Sequence, residues 1–168
     1  MKIWSFLQLP NNDDEIQNRS RYEDVLGARY SWDSTVANYS KVQINDRIVL
    51  VDSQYILGFS RITKLHIEVG EKDRFRCPEC RSTKISPRVE LMPKYRCLKC
   101  KSEFSESIKE TINVVKYHSY YPEKWHSLHL VSKTALESAY FSKAVQQSIR
   151  ELEDHRMTSI LGSEFINL

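Results

Sequence analysis

The chain has 168 residues, of which 40% are hydrophobic and 28% are charged, and its formal net charge is +3. This length and composition exclude a wholly disordered chain and allow one ordinary domain with a buried core, or one domain plus a small metal module. No apolar run approaches the roughly 20 residues that cross a bilayer, and the first residues lack the apolar stretch of a signal peptide. We therefore expect a cytoplasmic protein without a membrane partner, whose cysteines stay reduced.

Strand patterns predominate before the cysteines. The expected elements are, in chain order, a strand over residues 1–10, a turn over 11–15, a short helix over 16–26, a loop over 29–33, and two strands over 42–51 and 55–62. Gly58 interrupts the last of these strands, which indicates a bulge or a close approach of another backbone segment. A further strand over 112–117 resumes the sheet after the cysteines.

The segment after Ser132 changes to helical spacing. Two short apolar faces follow each other, with Leu136, Ala139 and Tyr140 in the first and Val145, Ile149 and Leu152 in the second. Ser132 and Ser142 are suited to the N-cap positions of the two helices, because a serine oxygen accepts a hydrogen bond from a free backbone N–H. The spacing therefore predicts a helical segment over 131–168.

Four cysteines form two pairs with metal-binding spacing. They are Cys77 and Cys80 in the first pair and Cys97 and Cys100 in the second, and 16 residues separate the pairs. Each Cys-x-x-Cys turn aims two sulfurs at one point, and two such turns complete a tetrahedron for a structural Zn²⁺. A single iron in a rubredoxin-like site has similar ligand spacing and is the alternative.

The cysteine segment is also the most basic part of the chain. Between Arg74 and Lys101 there are nine basic residues and two acidic ones. Such a concentration is typical of a surface that contacts nucleic-acid phosphates. Alternatively, the cysteine segment has only a structural role and its basic side chains are simply solvated. The candidate phosphate-binding residues are Arg74, Arg76, Arg81, Lys84 and Arg88.

Two aromatic clusters flank the predicted strands. The first contains Tyr30, Trp32 and Tyr39 with Asn38, and the second contains Tyr117, His118, Tyr120, Tyr121, Pro122 and Trp125. Flat rings beside hydrogen-bonding groups suit a pocket that stacks and reads an extruded base. The alternative is that most of these rings pack in the core.

Several segments, taken in order, resemble a known family. These segments are 30–38, 44–51 and 56–62, followed by the cysteine motifs. They resemble the PUA/EVE-like modification-sensing domain of modification-dependent HNH restriction endonucleases. The resemblance implies an α+β fold, a mixed β-barrel with an inserted four-cysteine zinc ribbon and C-terminal helices. It also implies a β body over 1–73 and 106–130, a zinc ribbon over 74–105, and a helical segment or linker over 131–168. The resemblance adds Arg61 to the residues expected to contact DNA.

The function implied by the resemblance is the reading of modified double-stranded DNA in restriction or defence. Methyl- or hydroxymethylcytosine is the first expected ligand. Tyr121-Pro122 followed by Trp125 also resembles the rim with which sulfur-binding domains contact phosphorothioate DNA, so that linkage is the second. We find no HNH pattern in the sequence. We therefore expect this chain to lack enzymatic activity. A homodimer, if one exists, is expected to form through an effector domain that follows Leu168.

Two other functions remain open. The segment 134–152 resembles a helix-turn-helix, which would make the protein a transcriptional regulator. A PUA-type domain could alternatively bind RNA.

Overall fold

The structure is a computed structural model, which describes residues 1–8, 22, 24–88, 90–143 and 147–168. These residues form two compact units. The body comprises the described residues up to Glu68 together with Val115–Leu168, and the ribbon unit comprises the described part of Val69–Val114. Strands hold 46% of the described residues and helices 14%, which confirms a strand-rich α+β structure for this part of the chain.

Strands and short helices follow one another along the chain. The strands are β1 (Ile3–Leu7), β2 (Arg29–Asp33), β3 (Arg47–Val51), β4 (Tyr55–Arg61), β5 (Lys64–Arg76), β6 (Ile85–Pro87), β7 (Tyr95–Cys97), β8 (Glu103–Phe104), β9 (Ile108–Tyr120), β10 (His126–Ser132) and β11 (Ile149–Leu152). The helices are two 3₁₀ helices, Pro122–Lys124 and Lys133–Ala139, and two α-helices, α1 (Asp154–Leu161) and α2 (Ser163–Ile166). Among the described residues, no helix has the length and apolar character needed to span a membrane.

Three sheets organise these strands. The largest has the order β10-β4-β3-β1-β11, the second has the order β2-β9-β5, and the third, in the ribbon unit, has the order β6-β7-β8. In the first sheet β1 runs parallel to β3, and the other pairs are antiparallel. All three sheets are open over the described residues. The expected mixed β-barrel is therefore not closed over this part of the chain.

The central strand β3 explains why the body has two apolar clusters. All five residues of β3 are buried, as expected for its continuous apolar run. Alternate side chains of a strand point to opposite faces, so Val49 and Val51 pack into one cluster while Ile48 and Leu50 pack into the other. The first cluster contains residues of α1 and α2, and the second contains most of the buried aromatic rings.

The predicted strands and the first predicted cap are largely confirmed. β1, β3, β4 and β9 lie in the expected segments, and Asp52 Oδ1 closes the turn between β3 and β4 by accepting from Gln54 N–H and Tyr55 N–H at 2.7 and 2.6 Å. Ser132 Oγ accepts from Thr134 N–H at 3.3 Å and caps the 3₁₀ helix. The predictions for residues 9–21 and for Val145 fall outside the described residues, and the described end of the predicted helix, residues 24–26, forms a bridge and a turn instead.

Two predictions of local structure are wrong. The aromatic segment 29–33 is not a loop but strand β2, in which Trp32 pairs with Tyr117 of β9. The second predicted apolar face is not helical over Ile149–Leu152, which form strand β11 and pair antiparallel to β1. Ile149 and Leu152 are buried in different clusters, so their spacing of three reflects the two faces of a sheet.

Candidate metal centre and nucleic-acid interface

The four cysteines lie on two turns that have the same backbone hydrogen bonds. In the first knuckle, residues 77–82, Cys77 N–H donates to Ser82 O at 2.9 Å and Arg81 N–H donates to Cys77 O at 3.0 Å. The second knuckle, residues 97–102, repeats both bonds with the same lengths. The repeated sequence is Cys-x-x-Cys, a basic residue and serine. This short internal repeat is a signal that the sequence interpretation missed.

The sulfur positions fit one tetrahedral metal ion. All four Sγ atoms lie within 4.8 Å of one another, and the closest pairs are Cys80–Cys97 at 3.5 Å and Cys77–Cys100 at 3.6 Å. Four thiolates that bind zinc at about 2.3 Å in a tetrahedron lie about 3.8 Å apart. The predicted cysteines are therefore brought together, and they could hold a metal ion.

Hydrogen bonds favour the thiolate form of Cys100, whereas, against the lowering effect of the Ser82 backbone, burial and the neighbouring thiols raise the pKa of Cys80 to about 11. The Ser102 hydroxyl lies 3.0 Å from Cys100 Sγ and 3.3 Å from Cys77 Sγ, and Lys99 N–H donates to Cys97 Sγ at 3.4 Å. The Ser102 hydroxyl and backbone lower the pKa of Cys100 to about 6. Because the thiolate is the ligand form of cysteine, this setting prepares the site for a cation.

The ribbon unit has only a small apolar core around the cysteines. Ile85, Tyr95 and Phe104 pack with the buried cysteines, and the Tyr95 and Phe104 ring centroids are 6.2 Å apart. A core of this size supplies little stabilisation, so a bound metal would provide much of the folding free energy of this unit.

Acidic neighbours neutralise part of the basic segment. Residues 69–114 contain eleven basic and seven acidic side chains. Arg76 Nε lies 2.7 Å from Glu110 Oε2, and Arg88 Nη1 lies 2.5 Å from Glu103 Oε2. Two of the predicted phosphate-binding residues are thus already paired with carboxylates.

Other cations of the ribbon unit face solvent without a carboxylate partner in the described residues. They are Arg81, Lys84, Arg96 and Lys99, all exposed. Leu98 N–H donates to Lys84 O at 2.8 Å, which brings Lys84 next to the second knuckle. Arg81 and Lys101 have φ values of 59° and 67°, in the left-handed region that favours glycine. We call Arg81, Lys84, Arg96 and Lys99 the free cations of the ribbon.

Most of the predicted base-reading rings are buried in the body. The Trp32 side chain is 1% exposed, stacks on Tyr117 at 5.4 Å and donates from Nε1 to Tyr39 O at 2.9 Å. Tyr30 stacks on Phe6, and Tyr121 is fully buried with no hydrogen-bond partner for its hydroxyl among the described residues. In this conformation these rings have no open face on which a base could stack.

Trp125 lies at the margin of the same cluster and packs so close to the backbone that it explains why positions 27 and 58 are glycines. A Cβ at Gly58 would lie 2.5 Å from His126 O and 2.6 Å from Trp125 Cη2, so only glycine admits this approach. A Cβ at Gly27, where φ is +76°, would lie 3.0 Å from Trp125 Nε1. The close approach predicted at Gly58 is therefore confirmed.

The remaining candidates are dispersed over the body. Asn38 Nδ2 donates to Ile149 O at 3.0 Å, and the Arg61 Nε atom is buried without a partner among the described residues. Lys64 Nζ lies 5.7 Å above the Tyr120 ring, and Pro122 is exposed at the start of a 3₁₀ helix. His118 contacts Ser31 and Glu68. The structure does not bring these residues together into one pocket.

A groove of about 800 Å³ in the body was not expected from the sequence. Its lining includes Tyr55, Lys133, Glu137, Tyr140, Lys143 and Arg150, together with several hydroxyl side chains. The Arg150 guanidinium lies 3.3 Å from the Tyr140 ring centroid and donates from Nη2 to Ser142 O at 2.8 Å. The groove thus has three cations and one carboxylate, and its lining comes from three stretches of the chain, 53–55, 132–143 and Arg150.

Comparisons with protein families, with curated proteins and with solved structures found no match. The site is therefore interpreted from its own geometry and chemistry.

Proposed function

We propose that the chain is a DNA-binding module that reads chemically modified double-stranded DNA in restriction or defence. The four cysteines hold a structural Zn²⁺, and the ribbon supplies affinity for phosphates that does not depend on sequence. Methyl- or hydroxymethylcytosine is the first proposed ligand and a phosphorothioate linkage the second. Both ligands, and a PUA/EVE-like relationship, rest on the sequence resemblance.

The observation that carries the proposal is the set of free cations of the ribbon. Arg81 and Lys84 are exposed and form no ion pair within 4 Å among the described residues, in contrast to Arg76 and Arg88, although Arg81 helps Arg76 to lower the pKa of Glu110. A phosphate would therefore bind them without first breaking an ion pair. Arg81 also occupies a backbone position where glycine would be less strained. The presence of an arginine at this position favours a role of its side chain in binding and not in folding of the knuckle.

The groove in the body supports the same function. An extruded nucleotide presents an anionic phosphate and a flat base, and the groove offers Lys133, Lys143 and Arg150 beside the Tyr55 ring. Tyr55 is 39% exposed, whereas Trp32 is 1% exposed. We therefore propose the groove, and not the buried rings, as the receptor for an extruded nucleotide.

A test uses one duplex sequence in unmodified, methylated, hydroxymethylated and phosphorothioate forms. Anisotropy titrations at several salt concentrations should show tighter binding of one modified form. Lys84→Gln with Lys99→Gln should weaken binding to all four forms and reduce the slope of log affinity against log salt by about 0.9 for each lost phosphate contact. Lys41→Gln with Lys124→Gln removes the same charge from exposed body positions and should leave the slope unchanged.

The groove has its own test in the same titrations. Lys133→Gln with Lys143→Gln should reduce the preference for the modified form. Equal slopes for the ribbon and body variants would limit the ribbon to a structural role, and tighter binding of a competing RNA would favour the RNA-binding alternative. The helix-turn-helix alternative lacks support, because Ile149–Leu152 form a strand.

A further inference from the structure

One edge of the second sheet is open along strand β5. β9 lies on one side of β5, and among the described residues no strand lies on its other side. The part of this edge that belongs to the body is residues 64–68. An edge strand exposes unpaired N–H and C=O groups, which can pair with a strand of another chain. This segment is therefore a template on which a further strand can add.

The side chains of this segment are accessible to a partner strand. Lys64, His66, Ile67 and Glu68 are exposed, and Leu65 is half-buried against the apolar cluster that holds most of the buried aromatic rings. Successive side chains of a strand point to opposite faces of the sheet. The polar side chains at positions 64, 66 and 68 therefore share one face, and the apolar side chains at 65 and 67 share the other.

The two full charges of the polar face have no oppositely charged Lys, Arg, Asp or Glu partner within the described residues. Lys64 Nζ lies 5.7 Å from the centroid of the Tyr120 ring, with no carboxylate within 4 Å. The Glu68 carboxylate contacts imidazoles alone, His66 Nε2 at 3.5 Å and His118 Nε2 at 3.6 Å. One end of the segment thus offers an ammonium group, and the other end offers a carboxylate.

We propose that two copies of the chain pair along this edge, antiparallel and about a two-fold axis at His66. In this register Lys64 of each copy lies opposite Glu68 of the other, and Leu65 lies opposite Ile67. The dimer therefore has two pairs of opposite charge on one face of the joined sheet and two apolar pairs on the other. Both kinds of cross-strand pair stabilise a sheet.

The neighbouring registers do not pair the charges. An axis at Ile67 would place Lys64 opposite Gly70, and an axis at Leu65 would place Lys64 opposite His66. The charge pattern of the segment therefore selects the axis at His66. A two-fold arrangement uses the same surface of both copies, which is the commonest symmetry of homodimers.

This dimer does not depend on the proposed DNA-binding function, and it differs from a dimer formed through an effector domain. A pairing of about five residues from each chain is smaller than a standard interface of about 1,600 Å². We therefore expect a weak dimer that forms at chain concentrations on the order of 100 μM.

The test is sedimentation velocity of the full chain over a concentration series, in a reducing buffer with Zn²⁺ so that disulfides do not link the chains. Lys64→Glu and Glu68→Lys each replace two attractive pairs by two repulsive ones and should weaken dimerisation by about tenfold or more. An equimolar mixture of these two variants has both pairs restored in the heterodimer. The mixture, and a chain that carries both substitutions, should dimerise about as well as the unaltered chain.

A matched control makes the same charge changes elsewhere on the body. Lys41→Glu and Glu123→Lys alter exposed residues outside β5 and should leave dimerisation unchanged, alone and mixed. Circular dichroism verifies that all variants are folded. An unaltered chain that remains monomeric up to about 1 mM would overturn the proposal, and so would a mixture of the two β5 variants that fails to dimerise.

Hydrogen exchange locates the contact independently of the charges. Amide exchange in residues 64–68 should slow as the chain concentration rises, because N–H groups of the open edge gain carbonyl partners in the second copy. The amides of the two knuckles should exchange at the same rate at all concentrations. Slowing confined to another surface would contradict pairing along β5.

Discussion

The ribbon unit and the body are stabilised by different means. The ribbon unit packs three strands of two or three residues around Ile85, Tyr95 and Phe104, and its four cysteines lie where one metal ion could cross-link them. The body buries residues on both faces of β3 and has two large apolar clusters. Short-range spacing therefore determines the first unit, and long-range strand pairing determines the second. Substitutions in one unit should leave the other folded.

The largest expected effect is the loss of the metal. Cys97 is fully buried, and Cys97→Ser removes one of four ligands. Structural zinc contributes on the order of 10 kcal/mol to the folding of small modules, so the ribbon unit should unfold while the body keeps its structure. Metal analysis with two-dimensional amide NMR would show both outcomes. Ser105→Ala, at an exposed position of the same unit, is the control and should retain the metal.

Removal of the Trp32 side chain should destabilise the body and leave the ribbon unit folded. Because the indole is 1% exposed and stacks on Tyr117, Trp32→Ala should destabilise the body by about 3–5 kcal/mol. The ribbon unit should still bind one metal ion per chain. Urea unfolding followed by tryptophan fluorescence measures the loss, and a loss below about 1 kcal/mol would return Trp32 to the candidate base-reading residues.

Glycine substitutions separate a steric effect from a backbone effect. Gly58→Ala places a methyl group against Trp125 and His126 O and should cost about 1–3 kcal/mol through overpacking. Gly162 has a φ of +78° and a ψ of −172°, a conformation essentially confined to glycine, but open space around its Cβ position, so Gly162→Ala should cost about 1–3 kcal/mol through backbone strain alone. Both are measured by thermal unfolding. A loss in Gly58→Ala far below that in Gly162→Ala would show that Trp125 moves aside at little cost.

Asp24 should make the stability of the body depend on pH. Burial raises the pKa of Asp24 to about 6, against the lowering effect of the Ser31 N–H bond to its carboxylate. The native state therefore favours the protonated acid, and this contribution is full below about pH 4 and is lost as the pH rises through about 6. Asp24→Asn keeps an acceptor for Ser31 N–H and removes the charge. It should stabilise the protein at about pH 8 by about 1 kcal/mol, with no gain at about pH 4, in urea titrations at the two pH values.

The smallest expected change in stability comes from the two residues of the knuckles whose backbone is in the left-handed region. Arg81→Gly and Lys101→Gly remove side chains from φ values of 59° and 67°. Each should stabilise the metal-loaded ribbon unit by up to about 1 kcal/mol, because glycine adopts this conformation without strain. If the cations bind phosphate, the same variants should lower DNA affinity. Hydrogen exchange of the knuckle amides measures stability, and higher affinity in the glycine variants would contradict the phosphate role.

The sequence predicted features that depend on neighbouring residues and missed those that depend on distant ones. The cysteine ligands and the two strands over 42–51 and 55–62 follow from local spacing and were found. Strand β2 was missed because its partner β9 lies some 85 residues further along the chain, and no period in 29–33 indicates it. Ile149 and Leu152 were assigned to a helix face because a spacing of three fits both a helix and the opposite faces of a strand. The groove requires three separate stretches of the chain, so only the folded chain could reveal it.

The sulfur arrangement has a consequence for oxidation. Two sulfur contacts below 4 Å join the two knuckles, Cys77 with Cys100 and Cys80 with Cys97, and Cys100 is the exposed member with a lowered pKa. If oxidants release the metal, disulfides should therefore form between the knuckles in preference to within each Cys-x-x-Cys turn. Such cross-links would hold the two knuckles together without the metal ion. Reduction of the disulfides would then return four thiols that are already in position to bind the ion again.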